Sequence, residues 1–98
     1  MKLTFRRVAR AELLEAIAWY NSRKPGLGRD FDKEVRAALN DALNNPGRYR
    51  KVRGEARVIR LRRFWQFSIF FLIRPQRFHV IGVFHAKRNP SELWKRLE

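Results

Sequence analysis

The spacing of hydrophobic residues changes along the chain, and each change predicts a different kind of element. Near the N-terminus Leu3 and Phe5 alternate with polar residues, which predicts a short strand. In residues 9–23, and again from about residue 28 to 44, apolar residues recur every three or four positions, which predicts two amphipathic helices. Because only a short "PGLG" joint separates them, we expect the helices to form an antiparallel hairpin.

The second half of the chain returns to the alternation that is typical of strands. We predict strands at residues 56–64, 66–73 and 78–85, and short connections imply that neighbouring strands are antiparallel. Residues 89–98 suit a short C-terminal helix. The predicted fold is therefore α+β, with the order β-α-α-β-β-β in one domain spanning residues 1–98. The hairpin would pack on one face of a mainly antiparallel sheet, and arginines would line the partly open second face.

The same patterns assign individual side chains to core or solvent. Glu12 and Glu15 fall on the polar side of the first helix, so we expect both in solvent. His79 and His85 are six positions apart in one strand, so both should point to the same face. The joint at residues 25–28 follows a helix rather than a strand, and no Gly-Lys-Ser/Thr follows it. We therefore interpret it as a turn and not as a phosphate-binding loop.

Charge is the strongest signal in the composition. Lys and Arg total 23 against 9 acidic residues, a net charge of +14, which favours nucleic acid, an acidic protein or an anionic membrane as a partner. The absence of cysteine excludes disulfides, thiol catalysis and cysteine-ligated zinc. No apolar run approaches the roughly 20 residues of a membrane helix, and the N-terminus lacks the pattern of a signal peptide. We expect a cytoplasmic protein with no cofactor, no bound metal and no membrane association.

The basic residues of the predicted sheet could have either of two functions. RNA cleavage needs a proton acceptor, a donor and cations near the phosphate. His85, followed by Lys87 and Arg88, with Arg62 or Arg74 across the sheet, could supply these groups. The alternative is that the histidine is structural and that the arginines bind a partner or protect a sheet edge from aggregation.

Four segments together resemble the RelE/ParE toxins of type II toxin–antitoxin systems, and above all the ParE-like, plasmid-stabilisation branch. They are "EAIAWYNSRKPGLGRDFDKEV", "NNPGRYR", "RLRRFWQFSIFFLI" and "VIGVFHAKRNPSELWKR". The resemblance implies a toxin that an acidic, ParD-like antitoxin neutralises in a hetero-oligomer. In the ParE branch it implies inhibition of DNA gyrase without catalysis. The alternative that it implies is a RelE-like endonuclease that cuts mRNA on the ribosome. Trp65 and Gln66 stand where this branch usually has Pro-Tyr.

The resemblance and the basic sheet together suggest which residues meet which partner. An antitoxin would lie along the hairpin and the sheet, whereas the target would meet a different set of residues. The candidate antitoxin contacts are Leu13, Ile17, Tyr20, Phe31, Val35, Arg57, Arg60 and Arg62. The candidate target contacts are Arg63, Lys87, Arg88 and Trp94. A nuclease would use Arg62, Arg74, His85 and Arg88.

Overall fold

The computed structural model describes residues 1–97, which form one five-stranded sheet and three α-helices. The α+β class, the helical hairpin and the short C-terminal helix confirm the predicted architecture. The elements are β1 (Lys2–Phe5), α1 (Arg7–Arg23), α2 (Leu27–Asn44), a 3-10 turn (Pro46–Arg48), β2 (Lys51–Arg53), β3 (Ala56–Arg60), β4 (Phe67–Arg74), β5 (Arg77–His85) and α3 (Ser91–Lys95).

The sheet has the strand order β1-β5-β4-β3-β2. β1 runs parallel to β5, and the other neighbours are antiparallel, as the chain's tight turns predict. The three-residue β2 was not predicted. β3 ends at Arg60, before the predicted end at residue 64, because the chain leaves the sheet there and buries Leu61 and Phe64 under the hairpin.

Two glycines make the joint of the hairpin possible. Gly26 has φ of +87°, a left-handed conformation that side chains with a Cβ rarely adopt. At Gly28 the helices touch: a Cβ there would lie 2.3 Å from the carbonyl oxygen of Ile17. The Gly28 N–H instead donates to Oδ1 of Asn21 at 2.8 Å. The joint is therefore a turn between packed helices.

Aromatic rings fill the main core between the hairpin and the sheet. Tyr20 on α1 and Phe31 on α2 pack against Phe64 and Phe67, with ring centroids 4.8 to 5.7 Å apart. Each buried aromatic side chain removes a large apolar area from water. This cluster fixes the turn end of the hairpin on the sheet.

The second face of the sheet is covered in its centre by α3, so it is less open than we predicted. Leu93 of α3 is fully buried in a smaller cluster with Ile81, Phe84 and Leu72. Trp94 packs edge-on against the ring of Phe70, with centroids 6.1 Å apart. Glu98, the last residue of the predicted C-terminal helix, lies outside the described residues.

A β-bulge separates the two histidines, and the prediction that they share a face is wrong. Phe70 pairs with Gly82 and Phe71 pairs with Val80, so Ile81 is an extra residue in β5. One extra residue shifts the alternation of the strand, so that side chains beyond it point to the opposite face of the sheet. His79 therefore faces the α3 side, and His85 faces the hairpin.

Candidate partner-binding surfaces

The four residues of the hypothetical nuclease site do not come together. His85 pairs with the first residue of β4, whereas Arg74 ends the same strand beside the β4–β5 turn. A strand of this length spans roughly 23 Å at about 3.3 Å per residue, and the two side chains also face opposite sides of the sheet. Arg62 lies exposed in the loop after β3. The structure therefore brings His85 and Arg88 to one groove, but it places Arg62 and Arg74 elsewhere.

His85 instead has a structural environment at the end of β5. Its ring packs edge-on against Phe67 and Trp19, with centroids 5.1 and 6.2 Å away. Its Nδ1 accepts a hydrogen bond of 3.1 Å from the backbone N–H of Lys87. A groove of about 430 Å³ runs beside it between α1 and the C-terminal end of β5. The ring thus stabilises the turn that leads out of the sheet.

A buried carboxylate on α1 organises the C-terminal segment. Glu12 is only 6% exposed, so its predicted place in solvent is wrong. Arg96 donates to both of its oxygens, at 2.9 and 2.8 Å. Arg88 donates to Glu12 and also to Glu92. The backbone N–H of Val83 donates to Glu12 at 3.1 Å. Three chain segments, α1, β5 and the C-terminal tail, therefore meet at one carboxylate.

The cluster forms here because β1 is shorter than β5. β1 ends at Phe5, opposite Val80, so the remainder of β5 has a free edge whose backbone groups need partners. Glu12 accepts from Val83 on this edge, and Arg96 donates to the carbonyl of Ile81 at 2.8 Å. Burial alone would raise the pKa of Glu12, but the hydrogen bonds from Arg96, Val83 and Arg88 outweigh it and lower that pKa below its ordinary value.

The candidate antitoxin contacts on the hairpin are mostly core residues. Leu13, Tyr20, Phe31 and Val35 are buried and hold the hairpin on the sheet, and Ile17 is half-buried. The sequence correctly places these residues on the apolar faces of the two helices, but those faces form the core of the domain. Buried side chains offer a partner little surface, so contact between these residues and an antitoxin stays a prediction.

The candidate arginines do not form one stripe. Arg57 faces the hairpin side and donates to the carbonyl of Tyr49 at 2.7 Å. Arg60 points to the α3 side, where it donates to Ser68 at 3.4 Å. Because neighbouring residues of a strand face opposite sides, Arg57 and Arg60 serve different surfaces.

An apolar groove of about 290 Å³ lies between β1 and the two helices. The buried residues Leu13, Val35 and Leu39 contribute to its lining, together with the partly exposed side chains of Leu3, Phe5 and Leu43. Arg10, Asp32 and Arg36 carry its charges. Oδ2 of Asp32 accepts from Arg36 at 2.9 Å, whereas Oδ1 is buried without a hydrogen-bond partner among residues 1–97. The groove thus combines an apolar lining, two cations and one unsatisfied acceptor.

The candidate target contacts lie on separate surfaces. Lys87 and Arg88 border the groove beside His85. Trp94 lies on the α3 side, with the Arg53 guanidinium 5.6 Å from its ring centroid. Arg63 lies near the hairpin joint, with its Nη1 3.4 Å from a carboxylate oxygen of Asp30. These four residues cannot all contact one small patch of a target.

A row of like charges occupies the uncovered corner of the α3 face. Lys2, Arg77 and Arg74 are direct cross-strand neighbours on three adjacent strands. His79 lies beside them and shares a 2.7 Å hydrogen bond with Oγ1 of Thr4. Burial lowers the pKa of His79, and the positive charges of Arg77, Arg6 and Arg74 lower it further. The sequence pattern did not single out this row, because β1 pairs with β5 only in the folded chain.

The strand order, the hairpin on one face and the short helix on the other define a toxin-like fold of the RelE/ParE class. The family model described as the ParE toxin of the type II toxin–antitoxin system, parDE, matches residues 3–90. The chain therefore belongs to the ParE toxin family. Among solved structures it is similar to a chain of the chromosomal ParDE toxin–antitoxin system from P. aeruginosa, with a TM-score of 0.78 and 18% identity. That match covers 89% of this chain and 97% of the other.

A comparison with curated protein sequences gives no match. Within residues 1–97, no helix has both the length and the apolar character needed to cross a membrane. Over the same residues, no three His, Asp or Glu side chains are grouped so that they could hold a metal ion.

Proposed function

We propose that this ParE toxin binds and inhibits DNA gyrase in the cytoplasm, and that a cognate acidic antitoxin neutralises it by direct binding. The observation that carries the proposal is the family match over residues 3–90. The dispersal of the hypothetical nuclease residues over two faces and two ends of the sheet supports a binding protein over an endonuclease. The net charge of +14 suits an acidic partner.

The groove between β1 and the hairpin is the surface that best fits an antitoxin segment. Its lining would receive the apolar face of a helix, which is a common mode of peptide recognition. Arg10 and Arg36 would pair with carboxylates of the antitoxin, and Oδ1 of Asp32 would accept a hydrogen bond from it. An antitoxin that satisfies this buried oxygen gains more than one that leaves it unpaired.

A supercoiling assay with purified gyrase and plasmid tests the proposed target. We expect the toxin to inhibit supercoiling or to trap cleaved plasmid, and a molar excess of antitoxin to reverse the effect. Programmed ribosomes with a labelled message provide the comparison. Full supercoiling at saturating toxin would refute the gyrase proposal, and cleaved message in the parallel reaction would establish the nuclease alternative.

Titration with the antitoxin tests the groove. Leu3→Gln changes a residue at the groove, and we expect it to weaken antitoxin binding by about tenfold, or about 1.4 kcal/mol. Val8→Gln is the matched control, since Val8 is 38% exposed against 36% for Leu3 and lies outside the groove lining. Equal affinities of the two variants would show that the antitoxin binds elsewhere.

A further inference from the structure

The loop of residues 61–66, between β3 and β4, presents a tryptophan to solvent. Trp65 is 68% exposed, whereas its neighbour Phe64 is 3% exposed. Trp19 and Trp94 each pack against other aromatic rings, but no ring within the described chain packs against Trp65. The domain therefore gains little stability from this large apolar side chain.

The residues on both sides of Trp65 are firmly held. The ring of Phe64 packs edge-on against Tyr20 at 4.8 Å and Phe31 at 5.3 Å. On the other side, the Gln66 side chain accepts a hydrogen bond of 3.0 Å from the Tyr20 hydroxyl. The backbone carbonyl of Gln66 accepts one of 2.7 Å from the Ala86 N–H. Because this backbone is already ordered, a partner that binds Trp65 would lose little free energy in immobilising it.

The charges around Trp65 favour a protein partner over nucleic acid. Arg62 and Arg63 are exposed, but Arg63 lies near Asp30 and donates its backbone N–H to Glu34 at 3.3 Å. A groove of about 490 Å³ beside the loop has a mixed lining of two acids and three cations: Glu34, Asp41, Arg48, Arg60 and Arg62. Phosphates would meet these carboxylates at close range, whereas interfaces between proteins commonly combine tryptophan and arginine with mixed charges.

This surface is separate from the antitoxin groove. Asp32, Arg36 and Leu39 face the groove, and Glu34 and Ala38 face the loop side. These positions define two different flanks of α2, since residues three or four apart share one side of a helix. A change at Trp65 can therefore be made without touching the groove.

We propose that the β3–β4 loop anchors the toxin to its protein target, with Trp65 inserted into an apolar pocket whose rim carries carboxylates opposite Arg62 and Arg63. The inference rests on the proposed function, because it specifies the contact through which the toxin acts. Buried tryptophan and arginine side chains are the residue types that dominate binding energy at such anchors.

Trp65→Ala tests the proposal without disturbing the fold, because the side chain is exposed. We expect gyrase affinity to fall at least thirtyfold, the effect of an anchoring residue, and antitoxin affinity to stay within about twofold. Trp65→Phe should recover part of the gyrase affinity. Leu14→Ala is the control, since Leu14 is 61% exposed on α1 and belongs to neither surface. We expect it to bind gyrase as tightly as the native toxin.

Growth after induced expression without antitoxin separates the two proposals. If native toxin arrests growth without binding gyrase, and Trp65→Ala does not arrest growth, the gyrase proposal fails and the anchor proposal stands. If Trp65→Ala arrests growth as fully as native toxin, the anchor proposal is overturned. The anchor proposal is also overturned if Trp65→Ala loses antitoxin affinity and keeps its affinity for gyrase. A third contrary result would be a variant whose only defect is in binding a labelled single-stranded oligonucleotide.

Discussion

Removing the charge of Glu12 should destabilise the whole domain, although the residue lies on a surface helix. Glu12→Gln keeps the size of the side chain and an oxygen that can accept from the Val83 N–H. It removes the negative charge that Arg96 and Arg88 share. Arg96 is itself only 9% exposed, so its guanidinium would remain buried without a counter-charge.

The expected loss follows from the burial of the two partners. Breaking a buried ion pair by removing one partner costs about 3–5 kcal/mol. The Arg88 side chain is 35% exposed and can turn toward water, so we expect the lower end, about 3 kcal/mol. A domain of this size has about 5–15 kcal/mol of stability in total. At about 4–8 °C per kcal/mol, the melting temperature should fall by about 12–24 °C.

Thermal and urea unfolding, followed by circular dichroism, measure this difference. Glu15→Gln is the matched control, because it removes an exposed carboxylate from the next turn of α1 and should change stability by less than about 0.5 kcal/mol. Arg96→Met completes a double-mutant cycle, and the double variant should lose less than the sum of the single changes. A loss below about 1 kcal/mol for Glu12→Gln would refute the assigned role.

The pH dependence gives the same test an independent readout. The folded-state pKa of Glu12 is lower than its value of 4.5 in the unfolded chain. Its contribution is therefore fully present above about pH 4.5 and is lost as the pH falls through the lower folded-state pKa. The stability difference between native toxin and Glu12→Gln should stay constant near neutral pH and shrink below about pH 4.5.

Three further predictions test the packing and the charge row. Gly28→Ala should lower the free energy of unfolding by at least about 2 kcal/mol in urea, because the new Cβ would collide with Ile17. Gly47→Ala is the control and should leave the stability unchanged, because a Cβ at Gly47 would lie in open space. Arg77→Gln should raise the unfolding free energy by about 0.5–1 kcal/mol at low salt, because it interrupts a row of like charges, and about 1 M salt should abolish that gain. Burial and the neighbouring cations disfavour the protonated form of His79 in the fold, so folding stability should decline as the pH falls below the unfolded pKa of 6.5. His79→Gln should therefore show a flatter decline in a pH series of unfolding curves.

Local patterns were enough to predict most of the fold. The spacing of Leu13, Val35 and Leu39 identifies the inner faces of both helices, and the glycine joint makes a hairpin the natural arrangement. Alternation and turn residues predict the β4–β5 hairpin in the same way. These features depend on neighbours close in sequence, so the sequence carries them directly.

The candidate site was harder to predict because it depends on pairs far apart in the chain. Glu12 looks like a solvent residue of α1 until Arg96, 84 positions later, reaches it. The prediction that both histidines face the same side failed because Ile81 is an extra residue between them. The pairing of β4 with β5 determines this bulge. Trp65 gave a signal, its departure from the usual Pro-Tyr, but its exposure follows only from the burial of Phe64 beside it.

The few acidic residues indicate how partners could be oriented on this basic molecule. A net charge of +14 attracts any acidic partner over a long range, but it does not select one face. Four of the nine acidic residues lie on α2, and they fall on its two flanks: Asp32 beside the groove, and Asp30, Glu34 and Asp41 beside the loop. Fixed carboxylates among so many cations set the register of an incoming chain by repelling misplaced acids. We therefore expect the overall charge to govern the encounter with an acidic partner, and the two flanks of α2 to determine which surface each partner occupies.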